Sequence, residues 1–163
     1  MGIASPQVWR FFMDNFGDLW CIKAPEADEE LAELHLLTKY SNYQNFTYHA
    51  HLGVDPDVLQ EAFVFMTPAR DLLAVQTTGT AQGRTLVHTF SKSSGYRNRS
   101  AVADTGIVTQ SPADQFVMKH NGDLLYVMRP RENTTLQHTY IAVLSQHSGY
   151  ERIVAEHTTA FRL

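Results

Sequence analysis

The sequence contains a single cysteine, Cys21, so no disulfide can form within one chain. That scarcity predicts a reducing compartment, and we expect a cytoplasmic protein. Charged residues are also few, at 18% of the chain against ~25% in typical soluble domains, and the net charge is −4. Because the nucleic-acid backbone attracts basic surfaces, this balance gives no reason to expect nucleic acid as a partner.

Long hydrophobic runs are absent as well. No apolar stretch approaches the ~18 residues of a membrane span, so we expect no membrane insertion. Residues 1–6 lack the basic start and the apolar stretch of a secretory signal. Hydrophobic residues are nevertheless abundant, at 44% of 163 residues, which is enough for the core of one domain.

The chain contains three repeats of one sequence pattern. A methionine stands five residues before an Asp-Leu pair in each repeat, and a small polar pair followed by tyrosine comes later. The aspartates are Asp18, Asp71 and Asp123, 53 and 52 residues apart, and the tyrosines are Tyr43, Tyr96 and Tyr150, 53 and 54 apart. Two marks with one period indicate a repeat architecture, in which one unit cannot bury its apolar face alone. We predict one repeat domain over 1–163, with repeats at about 9–60, 61–112 and 113–163.

Each repeat has the pattern of four short strands. Apolar runs flank residues 14–17 (DNFG) and 119–122 (KHNG), and Asn-Gly between such runs is a strong β-hairpin signal. Repeat two has 67–70 (TPAR) there, which predicts a turn of a different type. Two further strands follow in each repeat, and for 26–37 we prefer a loop and a strand to a short helix. The sequence therefore predicts an all-β domain of three four-stranded units.

Two architectures fit three such units. The blades of a β-propeller are four-stranded, and propellers typically have ~4–8 blades. A β-trefoil is built from three four-stranded units of about this size, so one chain suffices to close it.

Residues 17–23 (GDLWCIK), 33–37 (ELHLL) and 41–46 (SNYQNF) resemble the FG-GAP/VCBS-like repeats of integrin-type β-propellers. Those repeats read roughly D-G-x-x-D-L-x-x-I-K, T-E-L-H-V-L-S and S-N-Y-Q-x-F, and the likeness recurs more weakly in the other two repeats. The resemblance implies propeller-like blades. Because three blades are too few to close a ring, it also implies a homo-oligomer, such as a dimer that completes one. Many such repeats hold calcium before the Asp-Leu pair, but these loops are short of the ~6–8 oxygen ligands required, so we expect no cofactor or metal.

The recurring polar and aromatic residues are candidate binding residues. Sugars suit shallow sites made of aromatic faces and hydrogen-bonding groups, and several weak sites on one body gain avidity. The candidates are His35, Tyr40, Tyr43, His88, Tyr96, His147 and Tyr150. Propellers of the kind that the repeats resemble often serve as lectins. We therefore expect a multivalent, non-enzymatic lectin with glycans as partners, similar to cytoplasmic defence lectins.

A structural role competes with the binding role at these positions. Each recurring tyrosine could serve instead as a buried ring that packs between units. For the aspartates, we expect each carboxylate to bond backbone N–H groups and set its turn rather than act in catalysis. His49 and His51 share one face of a predicted strand, but no third metal ligand is identifiable.

Three other functions remain open. A protein-interaction scaffold would have one dominant exposed apolar patch. A β-trefoil protease inhibitor would bind through one protruding loop, for which 104–115 is the candidate. A glycosidase needs two carboxylates at a fixed separation, and repeated turn aspartates supply no such asymmetric pair.

Overall fold

The chain is an all-β protein. The computed structural model describes residues 8–23, 31–53, 58–59, 62–77, 83–109, 114–128 and 138–160. The strands of these residues are β1 (Val8–Met13), β2 (Leu19–Lys23), β3 (Glu33–Leu37), β4 (Phe46–His51), β5 (Phe63–Met66), β6 (Leu72–Gln76), β7 (Arg84–Phe90), β8 (Arg99–Val108), β9 (Gln115–Met118), β10 (Leu124–Met128), β11 (His138–Leu144) and β12 (Ile153–Ala160).

The strands form three separate four-stranded antiparallel sheets. Sheet 1 has the order β1-β2-β3-β4, sheet 2 the order β5-β6-β7-β8, and sheet 3 the order β9-β10-β11-β12. Each sheet falls within one of the predicted repeats, so the prediction of three four-stranded units is confirmed. Strand β3 replaces the short-helix alternative. Strand β8 extends to Val108 and takes up the first part of the predicted inhibitor loop, while 110–113 lie outside the described residues.

The first two strands of every sheet are joined by the same tight turn. In each turn the N–H of the fourth residue donates to the carbonyl of the first, and that fourth residue has a positive φ. The fourth residues are Gly17 (φ 82°), Arg70 (φ 64°) and Gly122 (φ 90°). The different turn predicted for repeat two is therefore wrong. Proline suits the second position of this turn, and Arg70 adopts the left-handed conformation at a cost of about 1–2 kcal/mol.

Sheets 1 and 2 pack face to face. Trp20 and Ile22 of β2 share one buried cluster with Leu72 and Ala74 of β6. An ion pair crosses the same boundary at the turns, where Nη2 of Arg70 lies 3.1 Å from Oδ2 of Asp18.

Sheet 3 packs on the opposite face of sheet 2. Leu73 and Val75 of β6 share a second buried cluster with Leu124 and Tyr126 of β10. Because successive side chains of a strand point to opposite faces, β6 is buried on both sides. Sheet 2 is therefore the middle layer of a three-sheet stack.

Candidate functional site

The three recurring aspartates cap the loops between the third and fourth strands. Oδ1 accepts a hydrogen bond from the first N–H of the following 3-10 turn, at 3.1 Å for Asp18 to Lys39, 2.9 Å for Asp71 to Lys92 and 3.0 Å for Asp123 to Gln146. The carboxylates thus bond backbone N–H groups, as predicted, although these groups belong to a loop more than twenty residues away rather than to the aspartate's own turn.

The three recurring tyrosines complete the same connection. Their hydroxyl groups donate to the carbonyl that precedes each aspartate, at 2.8 Å for Tyr43 to Gly17, 2.7 Å for Tyr96 to Arg70 and 2.9 Å for Tyr150 to Gly122. We refer to the aspartate and tyrosine together as the Asp–Tyr clasp of each sheet. The clasp ties the hairpin turn to the loop between strands three and four, so its members recur for a structural reason.

The predicted stacking role of Tyr96 and Tyr150 needs correction, because both rings are buried. The Tyr96 ring makes an edge contact with Trp20 of sheet 1, with 5.9 Å between the centroids. Burial and the nearby carboxylates of Asp123 and Asp71 raise the pKa of Tyr150. These two rings therefore pack between sheets and offer no free face to a ligand.

The two equivalent histidines also lie away from any shared exposed site. His35 is partly buried, and its Nε2 lies 2.8 Å from Oε2 of Glu33. His88 is buried, with Nε2 2.9 Å from Oε1 of Gln76. Burial, and then the charge of Arg99, lower the pKa of His88. His88 is thus a neutral interior residue at neutral pH, which corrects its assignment as a sugar ligand.

Tyr40, Tyr43 and His147 remain exposed. Tyr40 and His147 occupy the same position of their 3-10 turns, Lys39–Ser41 and Gln146–Ser148. The ammonium group of Lys39 lies 5.4 Å from the centre of the Tyr40 ring. Of the seven predicted binding residues, these three are exposed, His35 is partly buried, and the other three are buried.

Among the described residues, two clefts of similar volume lie between consecutive sheets, each against the fourth strand of the earlier sheet. Cleft 1–2 has a volume of about 280 Å³ and is lined by Leu31, Ala50, His51 and Arg97. Cleft 2–3 has a volume of about 290 Å³ and is lined by residues 106–108 of β8 together with Tyr126, Met128, Tyr140 and Ile153 of sheet 3. Cleft 1–2 carries basic groups, whereas cleft 2–3 is apolar and aromatic.

The Tyr140 ring in the lining of cleft 2–3 is hydrogen-bonded to a carboxylate that lies outside the lining. The Tyr140 hydroxyl donates to Oε1 of Glu156 at 2.7 Å, across the paired strands β11 and β12. Burial and this carboxylate raise the pKa of Tyr140 to about 12, so the phenol stays protonated at neutral pH. The arrangement can present a flat apolar ring and a hydrogen-bond acceptor to one small polar ligand.

Among the described residues, no three His, Cys, Asp or Glu side chains are grouped so as to hold a metal ion. The carboxylate of Asp14 in the first turn accepts hydrogen bonds from the N–H groups of Phe16 and Asp18 and from Nε1 of Trp20. His51 is exposed, while the side chain of His49 lies outside the described residues. No helix within the described part of the chain is long and apolar enough to cross a membrane.

Sequence reasoning missed Tyr140 of cleft 2–3 and its hydrogen-bond partner Glu156. Tyr140 and Glu156 are not repeated in the other units, so a search for recurring positions passes over them. Comparison with family models, with curated proteins and with solved structures finds no match for this chain.

Proposed function

We propose that the protein binds carbohydrate without catalysis, as a lectin built of propeller-like repeats. The observation that carries the proposal is the Tyr140 ring in the lining of cleft 2–3, whose hydroxyl group donates to the exposed carboxylate of Glu156. A volume near 290 Å³ is at the lower limit of the ~300–1,000 Å³ range of small-molecule sites. That size favours one or two sugar rings over a larger ligand.

The chemistry of this cleft matches the two kinds of surface on a sugar. The apolar C–H face of a sugar ring packs on an aromatic ring such as Tyr140. Sugar hydroxyl groups donate to a carboxylate such as Glu156, and hydrogen bonds to a charged acceptor are among the stronger ones. Met128 and Ile153 supply the remaining apolar wall.

The stack provides more than one cleft, which supports multivalent binding. Cleft 1–2 has a similar position and volume but is lined by His51 and Arg97. The two clefts therefore differ in charge, and we expect them to prefer different parts of a glycan. Two weak sites on one rigid body raise the apparent affinity for a clustered glycan without any new contact.

The test is a glycan array followed by titration of the best ligand into purified variants. We expect Tyr140→Ala to weaken binding about tenfold or more, which corresponds to about 1.4 kcal/mol. Tyr140→Phe keeps the ring and removes the hydroxyl group, so we expect a smaller loss. Glu156→Gln should weaken binding with little effect on stability, since this side chain is exposed.

Tyr40→Ala is the matched control, because it removes the same side chain from an exposed turn outside the clefts. Full binding by Tyr40→Ala together with loss in Tyr140→Ala supports the cleft. The reverse result would move the binding site to the 3-10 turn. A blank array, with no thermal shift by simple sugars for folded protein, would refute the proposal.

A further inference from the structure

The three sheets stack in one consistent direction. Trp20 of sheet 1 and Leu73 of sheet 2 occupy equivalent positions, two residues after the recurring aspartate, and each points into the cluster shared with the next sheet. We call the face that carries these two residues the leading face of a sheet. The opposite face points back toward the preceding sheet, and we call it the trailing face. It carries Leu72 of sheet 2 and Leu124 of sheet 3, each of which directly follows the recurring aspartate.

Within the part of the chain that the structure describes, no sheet precedes sheet 1 on its trailing face. Phe11 lies on this face and is 62% exposed, whereas its equivalent in sheet 3, Phe116, is 4% exposed. Met13 is 61% exposed, whereas its equivalent in sheet 2, Met66, is 4% exposed. Phe11 and Met13 thus keep the apolar character of the covered positions, and no described sheet packs on them.

The tyrosine of the clasp follows the same rule. Tyr96 and Tyr150 are 2% and 4% exposed, whereas Tyr43 is 39% exposed. Tyr96 owes its burial to the preceding sheet, since its ring contacts Trp20 there. Tyr43 has the same local conformation, with φ 59°, and the same hydroxyl bond, so within the described residues the difference in burial follows from the preceding sheet, which packs against Tyr96 and not against Tyr43.

The leading face of sheet 3, at the other end of the stack, also exposes apolar residues. Leu125 and Val127 are partly exposed, although the equivalent residues of the first two sheets are buried. Those buried equivalents are Trp20 and Leu73 for the first position, and Ile22 and Val75 for the second. Val117 of the edge strand β9 lies on this face and is 45% exposed.

We infer that two copies of this chain associate head to tail, with the leading face of sheet 3 of each copy packed on the trailing face of sheet 1 of the other. The occupant is a second copy because the chain already makes this pairing twice, from sheet 1 to sheet 2 and from sheet 2 to sheet 3. Each open face therefore has its complement at the other end of the same molecule.

The number of copies follows from ring closure. A heterologous contact closes into a ring or propagates into a filament. Stacked four-stranded sheets close into propellers of ~4–8 blades, and six is the only multiple of three in that range. Two chains with six sheets then leave no face open. This inference concerns the faces of the sheets and does not depend on sugar binding.

Light scattering across a dilution series tests the association. We expect the wild-type mass to be twice the 18.5 kDa of one chain. Phe11→Asp on the trailing face and Val117→Asp on the leading face should each give a single-chain mass, because each places a charge in both contacts of the ring. Val102→Asp is the control. Val102 is 43% exposed, which is similar to the 45% of Val117. It lies on the edge strand β8 of the middle sheet, away from the two proposed contact faces.

Mixing the two variants tests the head-to-tail geometry. One Phe11→Asp chain and one Val117→Asp chain together keep one unaltered pair of faces, so we expect a mixed dimer that neither variant forms alone. Native mass spectrometry with one isotope-labelled variant detects it. A single-chain mass for the wild type would overturn the inference. So would a dimer of either variant alone, which indicates a face paired with itself, or a mixture with no mixed dimer.

Discussion

The three Asp–Tyr clasps allow one hydrogen bond to be compared in two surroundings. We predict that Tyr96→Phe destabilises the fold more than Tyr43→Phe. The Tyr96 hydroxyl donates to the Arg70 carbonyl at 2.7 Å from a buried ring, and the Tyr43 hydroxyl donates to the Gly17 carbonyl at 2.8 Å from an exposed one. Both changes remove a single oxygen atom and keep the ring, so packing is nearly constant.

The expected magnitudes follow from solvent access. Removal of a buried donor leaves the Arg70 carbonyl without its partner, which costs about 1–2 kcal/mol. For a chain of this size, that lowers the melting temperature by about 2–8 °C. Water replaces the lost donor at the exposed clasp, so Tyr43→Phe should cost about 0.5 kcal/mol or less.

The assay is urea unfolding followed by tryptophan fluorescence and circular dichroism. Both variants are made in the Phe11→Asp background, so that no second chain covers Tyr43. Tyr150→Phe serves as the second buried case and should behave like Tyr96→Phe. Equal losses for Tyr43→Phe and Tyr96→Phe would refute the argument that the preceding sheet gives the clasp its strength.

Two further predictions concern stability. Burial lowers the pKa of His88, so the unfolded chain binds more protons, and the stability present above pH ~6.5 should fall as the pH drops toward the folded-state pKa. His88→Gln should flatten that part of the pH dependence, measured as urea midpoints at about pH 7.5 and 5.5; an unchanged slope would contradict the assignment. Gly122→Ala should cost about 1–2 kcal/mol for its positive φ, and more because the new Cβ displaces the end of the Gln146 side chain and lies 3.3 Å from Cδ of the rigid Pro68 ring. Gly17→Ala is the control, with a positive φ and its nearest neighbour at 3.4 Å; calorimetry should show the smaller loss for Gly17→Ala.

The repeat period and the alternation of apolar residues are local signals, and they predicted the three four-stranded units. The turn in repeat two shows the limit of such signals. Residues 67–70 lack the glycine of the other repeats, and the sequence gives no direct sign that Arg70 takes its conformation. The ion pair between Arg70 and Asp18 helps to offset the strain, and it joins residues from two different repeats.

The sequence predicts the candidate site only in part as well. The recurrence of Tyr43, Tyr96 and Tyr150 marks them as important without saying whether they face a ligand or a neighbouring sheet. Tyr140 and Glu156 have no repeat signal, because they meet only through the pairing of β11 with β12 beside β8.

The sequence by itself determined the strands, the hairpins and the number of sheets, since these depend on residue patterns within one repeat. Tertiary structure alone decided which equivalent residues are buried. Phe11 and Phe116 have the same place in their strands and opposite environments, because burial depends on the sheet stacked against the face and not on the strand itself.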